Sequence, residues 1–415
     1  MGKFDHHFKM NEQDAVEYSK EVLHIFNPSS ELECKEIGDG NINYIFRVEE
    51  KDTGKSIIIK HADITTRSNN TKVDPIHNCI EAEMLQKEYS LVPEMVPKVY
   101  HYDPIMCCIV MEDCRDYKNM RHELCKHKIF PGFAEQIAHF MAITLMGTSD
   151  LVVPIKEKRR LQEKFTNIDL DHVTERLVYT EPYLNSEGKN VEFPPNKEFL
   201  EKELYEDNSL HLEVAKMYDS FKSDNQCLIH GDLHTGSIMI KPGSIKVLDP
   251  EFATYAPGGY DVGNVIANLI FAWANGMATM EKGTEKENYL QWLEESIQRI
   301  IDIFRDESLS YLNENTIDLM DKTQGFYQWF VNGIMEDTAG VCGLELNRRT
   351  IGLAKVEDIT SITDEKQRIY CERICVYSAK EFIMNRHINY KQGADYIHTL
   401  KRAAMLAGKS YDGEL

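Results

Sequence analysis

A chain of 415 residues, 42% hydrophobic and 28% charged, has enough apolar material for a sizeable core and room for two domains. Its formal net charge of -21 argues against nucleic acid as a partner and makes any anionic ligand dependent on a few well-placed cations. The N-terminus, MGKFDHHFKMNEQD, has no apolar signal core or myristoylation serine, no apolar run approaches membrane-spanning length, and the ten cysteines form no CxxC pair, so a cytoplasmic chain with reduced thiols is expected.

Residues 11–26 read as a helix, with Asn11 as cap, Asp14 at the capping-box position, and Ala15, Val22, Leu23 and Phe26 on a related face. Ile42, Tyr44, Phe46 and Val48 then alternate as in a half-buried strand, which makes Gly38-Asp39-Gly40-Asn41 a hairpin turn. Such a turn either reverses the chain and no more, or lies over phosphates with its N–H groups inward. The next strand, 55–60, ends in Lys60, whose ammonium is either solvated or beneath that turn. Gly54-Lys55-Ser56 is not the end of a Walker A loop, because Glu49 stands where that motif needs glycine.

A helix over 77–88 carries Glu81 and Glu83, either of which can pair with Lys60; Glu81 is the preferred partner. Two β-type runs follow, 98–102 and 107–111, the second ending in Met111-Glu112-Asp113-Cys114. The domain boundary is placed there, giving a first domain over 1–112 and a second over 113–415. The remainder is mainly helical. Residues 133–147 form an amphipathic helix with Gly147 as a C-cap candidate, 157–222 read as polar helices and loops broken at Pro194-Pro195, and 262–273 are apolar nearly all round, as in a buried helix. Cys371 and Cys375, four apart, share one helix face.

Between the last two regions runs CLIHGDLHTGSIMIKPGSIKVLDPEFATYAPGGYDVG, 227–263. Two short apolar runs, 228–229 and 245–248, each end in acidic residues, and a tight hairpin between them lets those carboxylates converge. Asp232 is a candidate base. Asp249 and Glu251 flank Pro250, a spacing that in extended backbone puts both carboxylates on one side, as a magnesium site asks. Each acid taken singly is more often a cap or a turn residue. The ordered series of glycine turn, strand lysine, HGD loop and DxE is what points to phosphoryl transfer.

GDGNINYIFRV at 38–48, Lys60, MED at 111–113, HGDLHTGSI at 230–238, DPEFATYAPGGYDVG at 249–263 and ELNRRTIGLAKV at 345–356 together resemble the aminoglycoside and choline kinase-like phosphotransferases, most closely the 5-methylthioribose kinase group. The resemblance spans nearly the whole chain. It implies a two-lobed, protein-kinase-like α+β fold, with an antiparallel sheet in the small lobe and a large, mainly helical lobe. It also implies ATP and Mg2+ as cofactors, the C1 hydroxyl of 5-methylthioribose as acceptor in methionine salvage, and a homodimer.

The resemblance assigns roles residue by residue. Asp232 is the base or orienting group, and Arg348 and Arg349 reach the sugar and the transferring phosphate. Asn41 and Lys60 contact ATP phosphates, and Glu112, Asp113 and Cys114 lie at the adenine. Asp249, Pro250 and Glu251 form the magnesium loop and belong to the ATP site, with Asp249 and Glu251 as metal ligands. Without the resemblance, an arginine pair near a helix reads as a solvated face. Ser237 stands five residues after Asp232, where most kinase-like enzymes carry a magnesium-binding asparagine, and this leaves the number of magnesium ions open.

Three other readings compete. His230-x-Asp232-x-His234 could hold zinc in a hydrolase, but that leaves the glycine turn, Lys60 and the DPE segment without a role. An inactive nucleotide-binding scaffold conflicts with the presence of Asp232, Lys60, Asp249 and Glu251 together. A third keeps the chemistry and changes the acceptor to choline, homoserine or an aminoglycoside, whose pockets the sequence does not display.

Overall fold

The computed structural model describes residues 2–37, 43–63 and 76–412. Gly38 to Asn41, the expected glycine turn with its phosphate-binding asparagine, lie outside the described residues. The chain divides into two compact units, Met1–Asp116 with Lys246–Ala253, and Tyr117–Ile245 with Thr254–Leu415. The division therefore falls at 116/117 rather than 112/113, and the segment carrying Asp249 and Glu251 belongs to the first unit instead of the second.

The first unit is built on a five-stranded antiparallel sheet: β1 (Leu32–Glu36), β2 (Tyr44–Glu50), β3 (Ser56–His61), β4 (Val99–Asp103) and β5 (Cys108–Glu112), in the order β1-β2-β3-β5-β4. Strand alternation sorts the side chains. Phe46 and Val48 of β2, Ile57 and Ile59 of β3 and Val110 of β5 enter one core with Ala15 and Tyr18 of α1 (Glu12–Tyr18). Each buried Phe, Val or Ile among them contributes roughly 1.5–3 kcal/mol. Lys60, of opposite parity to Ile59, meets α2 (Ile76–Leu91).

The capping box at Asn11 is present: Asn11 Oδ1 accepts from Asp14 N at 3.0 Å, and Asp14 Oδ2 from Asn11 N at 2.9 Å. The helix does not run unbroken to residue 26. It passes into a π-helical turn, Ser19–Leu23, and stops at His24, whose φ of 52° is left-handed.

In the second unit β6 (Lys118–Asn119) leads into α3 (Met120–Leu124) and α4 (Phe133–Gly147). Gly147 is the last helical residue of α4, and Thr148 takes the cap position that the sequence suggested for the glycine. The polar region folds as α5 (Ile155–Lys164), α6 (Ile168–Thr174), α7 (Glu181–Leu184), α8 (Lys197–Leu200) and α9 (Asn208–Ser223), with a 3-10 turn at Pro194–Asn196.

The strands of the motif region do not form one hairpin. β7 (Cys227–Ile229) pairs with β10 (Thr254–Ala256), whereas β8 (Ile238–Lys241), which the sequence reading passed over, stands between β6 and β9 (Ser244–Val247). Gly243 makes the turn between β8 and β9 at a φ of 78°.

Six further helices follow among the described residues of the unit: α10 (Gly259–Thr279), α11 (Thr284–Asn315), α12 (Phe326–Ile351), α13 (Glu357–Thr360), α14 (Glu365–Asn385) and α15 (Gly393–Asp412). α10 is buried along Gly259–Gly276, as its apolar sequence requires. It lies so close to α12 that a Cβ at Gly259 would sit 2.4 Å from Thr338 N, and one at Gly263 would sit 2.7 Å from Thr338 O. The ten cysteines are free, and Cys371 and Cys375 are buried on α14. Among the described residues no helix is long and apolar enough to cross a membrane.

Candidate active site

The first unit gathers charge around Lys60. Its Nζ lies 2.8 Å from the Glu81 carboxylate and 2.7 Å from Asp249 Oδ1, so the preferred glutamate of α2 is the partner found. Lys60 and Glu81 are almost wholly buried, whereas the Asp249 side chain is 47% exposed. Burial works against the Lys60 charge, but Asp249, Glu81 and Glu251 outweigh it and raise its pKa. Burial pushes the Glu81 carboxyl up to about 7, with Lys60 opposing.

Asp249 is not extended. Its φ of 62° is left-handed, a conformation an aspartate adopts at a cost of roughly 1–3 kcal/mol and one that re-aims its side chain. Strand parity therefore does not explain how Asp249 and Glu251 are directed. Across Pro250, Glu251 Oε2 accepts from Asn43 Nδ2 at 3.2 Å, and Asn43 Oδ1 accepts from His77 Nε2 at 3.2 Å. Asn43, at the entrance to β2, is a residue the sequence reading missed. Two carboxylates on one short segment, one of them well exposed, match the donors Mg2+ takes from protein when phosphates supply the rest.

Glu112 and Asp113 spend their side chains on structure. Glu112 Oε2 accepts from Lys98 N at 3.1 Å and from Lys246 Nζ at 3.2 Å. Asp113 takes a two-pronged bond from Arg47, 2.7 Å and 3.0 Å, and another from Ser56 Oγ at 2.7 Å. Burial alone would raise the Asp113 pKa; Arg47 and Ser56 bring it below the ordinary value. β5 ends at Glu112, so from Asp113 through Cys114 the backbone has left the ladder.

The second unit holds a different set. After β7 the chain turns through Gly231, at a φ of 82°, and the turn is fastened by Asp261 in the first turn of α10. The buried Asp261 carboxylate accepts His230 N at 2.7 Å and Gly231 N at 3.0 Å. This places Asp232, whose Oδ1 lies 3.0 Å from Arg349 Nη2 and 3.4 Å from Arg348 Nη2.

The arginine pair is not a solvated face: side-chain exposure is 11% for Arg348 and 9% for Arg349. Both occupy the last turn of α12, and both are held by Glu345, which bonds Arg348 Nε and, at 3.0 Å, Arg349 Nε. Glu345 Oε1 also accepts from Asn268 Nδ2 at 3.2 Å, and Asn268 Oδ1 accepts from Arg121 Nη2 at 3.0 Å. Burial opposes ionisation of Glu345, but the two guanidiniums draw its pKa down to about 2. Burial likewise fails to raise Asp232, which His234, Arg349 and Arg348 hold well below the usual carboxylate range.

Asp261 and Glu345 were inside quoted motifs yet drew no role from the sequence. The readable signal for Glu345 was its spacing, three and four residues before the arginines on one helix face. For Asp261, burial is decisive, and a single acid at a helix start does not announce it.

A zinc ligand set is a poor fit to the HGDLH segment. His230 Nδ1 accepts Asp232 N at 3.3 Å and His234 Nδ1 accepts Ser237 N at 3.0 Å, while two guanidiniums on Asp232 would repel a divalent cation. Among the described residues no three His, Cys, Asp or Glu side chains are grouped to hold a metal. Ser237 Oγ is taken up within its own loop, 3.1 Å from Asp232 O and 3.1 Å from His234 Nδ1.

A carboxylate steered by buried guanidiniums, and a lysine–glutamate pair beside an Asp-x-Glu segment, are equipment for moving phosphoryl groups. Residues 155–294 match the phosphotransferase enzyme family, APH. The chain is 34% identical over 379 residues to the methylthioribose kinase of Geobacillus sp. (strain WCH70), covering 91% of this chain and 92% of that one. To the methylthioribose kinase of Yersinia pseudotuberculosis serotype IB (strain PB1/+) it is 33% identical over 376 residues, covering 89% and 91%. It belongs to the methylthioribose kinase family. Among solved structures it is similar to a choline kinase from Cryptosporidium parvum Iowa II, at 11% identity and a TM-score of 0.47 over 96% of this chain and 97% of that one.

Proposed function

We propose that this chain transfers the γ-phosphoryl group of ATP to the C1 hydroxyl of 5-methylthioribose, giving the 1-phosphate for methionine salvage. The observation that carries this reading is the joint bonding of Asp232 by Arg348 and Arg349, with Glu345 holding both arginines. It rests also on family membership at 34% identity over 91% of the chain.

In this reading Lys60 and Asn41 hold ATP phosphates, and the backbone from Glu112 to Cys114 meets the adenine. Asp249 and Glu251 hold magnesium, which when bound neutralises charge on phosphate oxygens. Asp232 bonds the acceptor hydroxyl. Its depressed pKa makes it a weak base, so it orients the hydroxyl and takes the proton late, as the new O–P bond forms and ADP leaves. Arg348 and Arg349 receive the negative charge of the transferring group in a buried setting where each hydrogen bond counts for more than in water. A cytoplasmic location accords with ten free cysteines. A homodimer belongs to the proposal as well.

The test is ADP release coupled to a spectrophotometric readout, with ATP, Mg2+ and 5-methylthioribose, choline, homoserine or kanamycin in turn. Turnover confined to 5-methylthioribose is expected. Turnover with another acceptor alone would keep the catalytic roles and overturn the substrate, and silence with all four would overturn the reaction.

A further inference from the structure

We propose that His234 is a positioning residue for Asp232: its Nε2–H donates to Asp232 Oδ2 and fixes the carboxylate against the arginine pair. The proposal rests on the reading that Asp232 meets the acceptor hydroxyl.

The ring tautomer follows from its partners. His234 caps the short 3-10 turn Thr235–Ser237, its Nδ1 accepting Ser237 N at 3.0 Å. A backbone N–H only donates, so Nδ1 carries no proton and the proton of the neutral ring is on Nε2. Nε2 lies 3.3 Å from Asp232 Oδ2. One oxygen of Asp232 is thereby held by arginines while imidazole Nε2 faces the other, which restricts how the carboxylate can turn.

The ring itself is wedged. A Cβ at Gly236 would come within 2.8 Å of His234 Cε1 and 3.1 Å of Arg121 Nη1, so the turn closes over imidazole and guanidinium only because residue 236 has no side chain. Arg121 is tied through Asn268 to Glu345, the anchor of the arginine pair, and His234 thus joins the same network from its other end. Burial and the fields of Arg121 and Arg349 lower the His234 pKa, with Asp232 opposing. A neutral ring whose Nε2 is already protonated cannot take a proton from Asp232. His234 therefore orients the carboxylate and is no proton relay.

Two substitutions separate the ring's duties. In His234→Asn the amide oxygen can still cap Ser237 N while the donor to Asp232 is lost; in His234→Gln the longer amide N–H can still reach Asp232. His234→Asn is expected to lower kcat on the order of 10–10²-fold with little change in KM for the sugar, and His234→Gln to restore most of that loss. The acid limb of kcat/KM supplies a readout that a merely structural role would not move. Groups facing Asp232 are His234 from its own loop, Arg348, Arg349 and Glu345 from α12, Arg121 from α3, and Tyr260 and Asp261 from α10. Losing one donor to the ionised form raises the Asp232 pKa, so the limb moves to higher pH in His234→Asn and back in His234→Gln.

Unchanged kcat and limb in His234→Asn would overturn the proposal, as would equal losses in both variants with the limb unmoved. The 15N shifts of the His234 ring in the unaltered protein give a second measurement that does not depend on either variant folding. Protonated Nε2 with unprotonated Nδ1 is expected, and the opposite tautomer overturns the proposal. If the unaltered protein phosphorylates none of the acceptors, the functional reading fails by itself and the ring tautomer still decides this one.

Discussion

The two units handle buried charge in opposite ways. Around Lys60 one ammonium stands among Glu81, Asp249 and Glu251, an acid-rich set. Around Asp232 two carboxylates, Asp232 and Glu345, are matched by two guanidiniums, Arg348 and Arg349. An acid-rich set suits a ligand that arrives with cations, as nucleotide phosphates with magnesium do. A balanced set attracts neither sign strongly and works through direction instead, which suits a neutral sugar whose hydroxyl must be aimed. The pKa shifts express the same contrast: Glu81 is pushed up to about 7, whereas Glu345 is drawn down to about 2.

The sharpest way to break the comparison is at Asp232. Asp232→Ala should lower turnover on the order of 10²–10⁴-fold while nucleotide binding, followed by calorimetry, stays near its original strength. Retained turnover would remove Asp232 from the chemistry.

Next come the anchors of each set, Glu345→Gln and Lys60→Met, each leaving buried charge without its partner. Each should cost about 3–5 kcal/mol in chemical denaturation. Their pH dependence should differ. Without Lys60 the Glu81 carboxyl rises further, and a carboxyl whose folded pKa exceeds its unfolded value loses stability as pH climbs through the folded pKa. The Lys60→Met deficit should therefore be larger at pH 8 than at pH 5. A deficit independent of pH would show that Glu81 does not titrate in that range.

A smaller effect is expected from Gly259→Ala. Backbone atoms of α12 lie 2.4 Å and 2.5 Å from the new Cβ, so the helix must move, at about 1–3 kcal/mol. Because α12 ends in the arginine pair, KM for the sugar should rise while KM for ATP holds; the reverse pattern would detach α12 from the acceptor. The smallest change is expected at the exposed Arg299–Glu135 pair. There Arg299→Ala should alter stability by no more than about 0.5 kcal/mol and leave kinetics unmoved.

Local rules made much of this legible in the sequence. The 133–147 helix, the Asn11 capping box and the buried run of α10 follow from period and capping chemistry; the bounds of the 133–147 helix and the box are found where those rules place them, whereas α10 extends at both ends beyond the 262–273 read from its apolar run. The Lys60–Glu81 pair was one of two the sequence allowed, Glu83 being the other, and the structure takes the preferred one. What stayed hidden depends on distant packing. Nothing local in Arg348-Arg349 tells a buried pair from a solvated one until α10 is seen pressed against α12. Strand parity misled at Asp249, because a single left-handed residue there discards the extended geometry on which parity depends. β8 escaped notice because four residues beside a Pro-Gly turn carry little signal of their own.

The most direct measurement is NMR of the product formed from ATP, Mg2+ and 5-methylthioribose. A 31P resonance coupled to the anomeric proton, appearing with ADP in equal amount, is expected, since that places the phosphate on C1. An ester at another hydroxyl, or ADP and inorganic phosphate without any sugar ester, would contradict the transfer assigned to Asp232 and its arginine pair.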